Sequence, residues 1–301
     1  MNLINSNVSN NVFLKNNVFN YFKILILVII FFGLLGGCED TSMKTSAIKF
    51  QSINDIPQEK WEKLAQKRIF FGHQSVGFNI LNGLNLIMAD NPHIKLNIVH
   101  TSNAENFGEA LLAHEWIGKN TKPKSKIDAF DNVLRNGVGD KVDIVLMKFC
   151  YVDITSSTDV DKVFSDYIKI LSGLESSFPG VTFIHVTTPL TSVPTGMNAL
   201  FQTAKNLVKK ILGKPFFDYK DNINRNNFNE RLLSKYNAKN YVFDLARIEY
   251  ILPDGRVSSF RKNGRNYYSL AEDYTNDGGH LNEKGSRRAA EQLLVILALS
   301  Q

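Results

Sequence analysis

The 301-residue sequence predicts a three-layer α/β domain, with a mainly parallel sheet flanked by helices. Three observations carry that expectation. From Arg68 onward, short apolar runs rich in β-formers alternate with segments of helical period. The run Val142 to Cys150 is almost continuously apolar, which suits a central parallel strand covered on both faces. Val160 to Phe178 places Val163, Tyr167, Ile170, Leu171 and Leu174 on one helix face before Pro179-Gly180 ends the pattern.

The chain opens on an address. Residues 1–21 are polar and Asn-rich, with Lys15 their only charge; after Lys23 an unbroken apolar run extends from Ile24 to Phe32. That run is short of the ~20 apolar residues a spanning helix needs, and small residues follow it, which describes a secretory leader. Leu35-Gly36-Gly37-Cys38 resembles a bacterial lipobox, in which cleavage precedes a lipid-bearing cysteine. The expected organisation is therefore residues 1–37 as lipoprotein signal peptide, 38–55 as a polar tether and 56–301 as one domain. The alternative for Cys38 is an incidental cysteine beside an uncleaved anchor. On either reading the domain lies outside the cytoplasm, held to a membrane of the bacterial envelope.

Within the domain, Gln58 to Lys67 reads as an entry helix with Trp61 and Leu64 inward. Arg68 to Gly72 reads as a buried strand, followed by a turn and a helix that begins at or just after Ser75 and buries Val76, Ile80, Leu84 and Ile87. Ile94 to Val99 alternates as a second strand. His100 to Pro123 lacks a firm period and is expected to be a long functional loop containing Gly108, His114 and Gly118-Lys119-Asn120. A helix over Ile127 to Leu134 leads to Val142–Cys150, counted as the third strand. Val181 to Val186 forms a further strand, with His185 as a core histidine. A Pro/Thr/Ser loop follows over Leu190 to Gly196. Helices are expected over Ala199 to Leu212 and Ile223 to Tyr236, and a last strand over Tyr241 to Leu245. Asp244 is expected to cap that strand's end, and Asp254-Gly255 to make a tight turn. The final helix buries Ala289, Ala290, Leu293, Leu294 and Leu297.

Two stretches carry chemistry. A serine at the start of a helix, as Ser75 is expected to be, sits among unpaired N–H groups at the positive end of the helix dipole, where an oxyanion can be stabilised. The bland assignment for such a serine is an N-cap. Near the other end of the chain, Asp277-Gly278-Gly279-His280 spaces an acid and an imidazole three positions apart in a glycine-loosened turn. That spacing lets the carboxylate hold one ring nitrogen and leaves the other facing a nucleophile. A capping loop with a surface histidine is the alternative.

Together the two blocks resemble the SGNH/GDSL hydrolases over roughly Arg68 to the C-terminus. In that family a nucleophilic serine follows the first strand in a Gly-Asp-Ser context, and Asp-x-x-His precedes the last helix. Here His73-Gln74 stands where Gly-Asp is usual, and glutamine before the serine occurs in carbohydrate-esterase branches. The resemblance implies an SGNH/flavodoxin-like fold, with Ser75 as nucleophile, His280 as base and Asp277 as its orienting acid. It also implies two oxyanion donors, a glycine after the second strand and an asparagine in a Gly-x-Asn-Asp block after the third. Phe149-Cys150-Tyr151-Val152-Asp153 lacks that asparagine, so the donors are sought in Gly118 and Asn120, or at Gly108.

The expected activity is deacylation, chiefly deacetylation, of envelope or extracellular carbohydrate or another small ester. The alternatives are an O-acetyltransferase on the same scaffold and a non-catalytic glycan-binding surface lipoprotein. No cofactor is expected. The six histidines show no His-x-His or His-x-x-x-His spacing, so no metal is expected either. Removing Lys15 and Lys23 with the leader lowers the formal charge from +6 to +4, and no basic block interleaved with aromatics argues for nucleic acid. Of the two cysteines, Cys38 is assigned to lipid, leaving Cys150 as a buried small hydrophobe without a disulfide partner. Oligomeric state is left open. If Cys38 carries the lipid, Cys38→Ala abolishes metabolic palmitate labelling and mislocalises the protein; equal labelling of variant and parent rejects the anchor.

Overall fold

The structure is a computed structural model that describes residues 50–193, 219–236 and 241–300. The leader, Cys38, most of the tether and the helix expected over Ala199 to Leu212 lie outside the described residues, as does the end of the loop at Leu190 to Gly196.

Chain order runs α1 (Gln58–Leu64), β1 (Arg68–His73), α2 (Ser75–Asp90), β2 (Ile98–His100), β3 (Leu111–Trp116), α3 (Pro123–Val133), β4 (Ile144–Met147), α4 (Val160–Ser177) and β5 (Thr182–Val186). It continues through α5 (Tyr219–Tyr236), β6 (Tyr241–Phe243), α6 (Leu245–Tyr250), β7 (Ser259–Lys262), β8 (Arg265–Tyr268) and α7 (Glu283–Leu299). Strands β1 to β6 form one parallel sheet in the order β2-β3-β1-β4-β5-β6, and β7 and β8 form a separate antiparallel hairpin.

The pleat explains why β1 is apolar at nearly every position. Ile69 and Phe71 enter one core with Trp61, Ile80, Leu84 and the α7 residues Ala290, Leu293 and Leu294. Phe70 enters the other with Ile127, Phe130, Tyr167, Leu171 and Phe228. Successive side chains point to opposite faces, so a strand between two helix layers needs apolar groups at odd and even positions alike. The result is the three-layer α/β architecture expected from the sequence.

Four local expectations are corrected. The stretch His100 to Pro123 is not one loop, because Leu111–Trp116 pairs along the whole length of β1. Leu111 to His114 are buried whichever face they point to, so the strand left no period-2 signal. The run Val142–Cys150 therefore supplies the fourth strand, not the third. The second strand is Ile98–His100, shorter and later than Ile94 to Val99, because this edge pairs only where β3 runs beside it. The tether ends earlier than residue 55: Phe50 and Ile53 pack on the first core, and Ser52 caps a turn of 3₁₀ helix over Ile53–Asp55. The β7–β8 hairpin turns on Asn263-Gly264, both at positive φ (50° and 78°), the Asn-Gly combination that a two-residue hairpin turn favours. Asp254-Gly255 does form a tight turn, closed by an antiparallel bridge between Ile251 and Val257.

Strand order reverses around β1: the chain goes to β2 and β3 on one side, then crosses to β4 on the other. Parallel sheets bind ligands outside the carboxyl ends of strands at such a point. Helix α2 leaves β1 there, and α7 lies against it. An added Cβ on Gly83 of α2 would stand 2.3 Å from the Ser286 carbonyl oxygen and 2.8 Å from the Ala290 methyl of α7. Alanine is the better helix former by roughly 0.5–1 kcal/mol. Overpacking against backbone costs about 1–3 kcal/mol, so the clash wins. Gly83→Ala is expected to lower the denaturation midpoint; an unchanged or raised midpoint contradicts this packing.

Candidate active site

Ser75 is the first residue of α2, and Gln74 occupies the cap position in extended geometry. The Gln74 carbonyl accepts from Gly77 N at 2.8 Å and Phe78 N at 3.3 Å, which leaves the Ser75 and Val76 N–H groups among those a helix start does not satisfy. The Ser75 hydroxyl is not spent on capping. Its Oγ lies 3.0 Å from His280 Nε2.

The acid and base share one turn. Asp277 Oδ1 accepts from the N–H groups of Gly279 (2.9 Å) and His280 (2.8 Å), and Oδ2 lies 2.7 Å from His280 Nδ1. Gly278 supplies the left-handed bend at φ 92°, donates to Thr275 Oγ1 at 2.9 Å and accepts from Ser192 N at 2.8 Å. Leu281 N donates to Asn79 Oδ1 of α2 at 3.3 Å, tying the turn to the helix that carries Ser75. Asn282 then caps α7 by accepting from Gly285 N.

Partial burial opposes ionisation of Asp277, but the His280 hydrogen bond and the two backbone donors outweigh it and hold the carboxyl at about 2. An ionised carboxylate only accepts, so the His280 proton sits on Nδ1. Nε2 is then an acceptor for the Ser75 hydroxyl, an assignment from the network and not an observed hydrogen. Tyr151, beyond β4, packs edge-on to the imidazole with centroids 5.5 Å apart, its Oη 3.4 Å from Nε2. Burial pushes the phenol well above its ordinary range, so it stays neutral. The buried Arg225 guanidinium fixes the Tyr151 backbone through its carbonyl at 2.9 Å.

The loop after β3 is held beside Ser75 by the preceding residue. The Gln74 amide donates to the Ile117 carbonyl at 2.9 Å and the Gly118 carbonyl at 3.3 Å. Gly118 sits at φ +59°, and a Cβ there would meet the Lys126 backbone at 2.6 Å. Asn120 lies in the turn closed by Lys122 N and the Lys119 carbonyl, and its Oδ1 accepts from Lys126 Nζ at 2.9 Å. That bond fixes the amide with its carbonyl oxygen toward Lys126. Lys126 is fully buried against Asp153, with Nζ 2.5 Å from Oδ2. Asp153 also accepts from Cys150 N and, through Oδ1, from Thr121 N. One buried ion pair thus staples the Gly118–Lys122 turn to the end of β4.

Gly108 is not part of this site. It precedes β3, and it lines a cavity with Lys67, Arg68 and Asp143 at the amino ends of the strands, opposite Ser75. Cys150 is buried, as expected. His185 is buried, stacked on Tyr236 and 2.9 Å from the Tyr167 hydroxyl. Asp244 caps α6 by accepting from Arg247 N.

The histidines were less scattered than their spacing implied. On adjacent strands, His73 Nε2 lies 3.0 Å from His114 Nδ1, and the His114 ring stacks on His100 with centroids 5.0 Å apart. His73 Nδ1 donates to the Gln74 carbonyl at 2.8 Å, so His73 Nε2 is the acceptor and His114 the donor of the pair. Alternate positions on three parallel neighbours share a face, but a single sequence shows no trace of that pairing. Among the described residues, no group of three or more His, Cys, Asp or Glu is arranged to hold a metal ion.

No protein-family model matches the sequence, and no curated protein matches it. Solved structures do. A candidate acylhydrolase from Bacteroides fragilis NCTC 9343 is 14% identical, with 81% of this chain and 97% of that chain covered and a TM-score of 0.43. A candidate lipolytic protein of the G-D-S-L family from Desulfitobacterium hafniense DCB-2 is 9% identical, with coverages of 76% and 99% and a TM-score of 0.42. The periplasmic domain of a lipopolysaccharide acetyltransferase from Salmonella ser. Paratyphi A is 13% identical, with coverages of 81% and 88% and a TM-score of 0.41. At these similarities the case for the site rests on its own geometry.

Burial forces His73 down to about 3, against the pull of its hydrogen bond to the Gln74 carbonyl. An unfolded histidine titrates near ~6.5, so between those values the unfolded chain holds a proton the folded chain refuses. Stability therefore falls as pH is lowered from about 6.5 toward about 3. Denaturant midpoints are expected to drop across that window and to drop less in His73→Gln; parallel curves would remove His73 as the source.

Proposed function

We propose that this chain is a serine ester hydrolase of SGNH type, acting on acylated carbohydrate or another small ester. The observation that carries the proposal is the hydrogen-bonded series Ser75 Oγ, His280 Nε2, His280 Nδ1, Asp277 Oδ2, in which one imidazole nitrogen faces the hydroxyl and the other the carboxylate. His280 takes the Ser75 proton as Oγ attacks the ester carbonyl. Asp277 holds the Nδ1–H tautomer and stabilises the imidazolium. The alcohol leaves with the proton from His280, and water repeats the sequence on the acyl-enzyme.

The oxyanion falls to the N–H groups at the start of α2, with the Gly118 turn and the Asn120 amide as the further donors. The Gln74 bonds to that turn and the Lys126 bond to Asn120 support this assignment by fixing both before substrate arrives. Hydrolysis is favoured over transfer to a second sugar because the acid–base pair is open to water: the side chains of His280 and Asp277 are 40% and 54% exposed. The leader and lipobox support a place in the bacterial envelope, outside the cytoplasm and anchored through lipid on Cys38. Among the described residues no helix is long and apolar enough to cross a membrane.

A fluorophosphonate is expected to label the parent and not Ser75→Ala. With a p-nitrophenyl ester, Asn120→Ala lowers kcat on the order of 10²-fold with KM nearly unchanged, since the donor acts on charge present only in the transition state. The acid limb follows a single ionisation from about pH 3 upward, because Asp277, held at about 2, is already charged there. Labelling that survives Ser75→Ala, or a parent-like kcat in Asn120→Ala, overturns the corresponding assignment.

A further inference from the structure

The surface beside Ser75 carries a feature that ester cleavage alone does not require. On α2, residues 75, 78, 82 and 85 fall on one face by their spacing of three, four and three. Ser75 is half-buried, and the exposed residues Phe78, Asn82 and Asn85 continue the stripe. Trp116, the last residue of β3, stands next to Phe78 with ring centroids 6.4 Å apart and planes inclined by 32°. Its inner side rests on the His73 ring at 5.9 Å.

Phe78 and Trp116 are each 45% exposed. Two large apolar side chains left this open, side by side at the mouth of a candidate active site, make a surface that gains from being covered. Their surroundings say what covers them. Beyond the two rings the stripe turns to the uncharged amides of Asn82 and Asn85, where a long acyl chain would need further apolar surface. One face of a pyranose offers C–H groups that complement the electron-rich face of an aromatic ring, while its hydroxyls suit amides that both donate and accept. The pair is also pre-positioned, Phe78 by the first turn of α2 and Trp116 by the sheet and His73.

Resting on the esterase reading above, we infer that Phe78 and Trp116 form a sugar-stacking subsite that continues along Asn82 and Asn85. It holds an O-acylated oligosaccharide with its ester at Ser75. The polymer then lies along the outer face of α2, and the acylated sugar sits one ring away from the stacked one.

The protein carries its own reporter. Of its two tryptophans, Trp61 is 2% exposed, so ligand-dependent emission changes arise at Trp116. In Ser75→Ala, titration with unmodified cellotetraose, xylotetraose and chitotetraose is expected to give a saturable emission change with at least one sugar, accompanied by protection from acrylamide quenching. Adding Phe78→Ala weakens that binding at least tenfold. No response to any of the three overturns the subsite.

Kinetics read the same subsite independently. For the chemically O-acetylated form of the binding sugar, kcat/KM relative to p-nitrophenyl acetate is expected to fall at least tenfold in Trp116→Ala and to recover largely in Trp116→Phe. An unchanged ratio overturns the proposal, as does a loss seen instead on p-nitrophenyl octanoate relative to the acetate, which would make the rings an acyl-chain platform. A parent inactive on every ester, with sugar titration intact, would count against the esterase reading and leave the subsite standing.

Discussion

The architecture depends on one close approach, the meeting of α2 and α7 at Gly83, where backbone of one helix reaches backbone of the other. Ser75 begins α2 and His280 lies just before α7, more than two hundred residues apart in sequence. The hydrogen bond between the two requires those helices to run side by side with their starts together. The contacts advance in step, Asn79 with Leu281 and then Gly83 with Ser286. A serine and a histidine on mobile loops would meet only some of the time. Here the serine opens one helix and the histidine's turn leads into the other, so the packing of the two helices sets the distance between them, the condition under which proximity lowers a barrier.

Around that contact, each remaining part of the site is fixed by a buried polar group with few alternatives. Arg225 holds the Tyr151 carbonyl, and Glu249 accepts from Leu190 N at 2.6 Å, anchoring the chain that leads from β5 to Ser192. Burial pushes the Glu249 carboxyl up to about 8. Lys126 and Asp153 together set the Gly118 turn. Such pairs contribute little net stability, because taking the charges out of water costs about as much as their attraction returns. Their effect here is on position: a turn bonded to a buried charge pair has few other places to sit.

Much of this was legible in the sequence, for identifiable reasons. The strand at Ile144–Met147 and the helix at Val160–Ser177 declared themselves because continuous apolarity and a clean helical period are local properties. The Asp277–His280 turn was legible because its two groups are three residues apart. Leu111–Trp116 was not, since Ala113 and His114 interrupt the pattern that marks a strand, and miscounting it shifted every later strand by one. The roles of Lys126 and Asp153 were equally hidden. A lysine in an amphipathic helix ordinarily faces water, and only the tertiary fold shows this one reaching an aspartate 27 positions away. Gln74 could be seen as a departure from the motif the sequence resembles, but what its amide does needed the neighbouring strand's loop.

That glutamine has a wider consequence. Where an aspartate precedes the nucleophile, the side chain can only accept; here it only donates to the loop, and the peptide units at Ile117 and Gly118 turn their oxygens toward it. The polarity of the whole contact is reversed. An acid at this position would therefore set a carboxylate against two carbonyl oxygens and push the loop away from the serine. Gln74 and the loop across from it act as one unit: exchanging donor for acceptor on one side requires the matching exchange on the other.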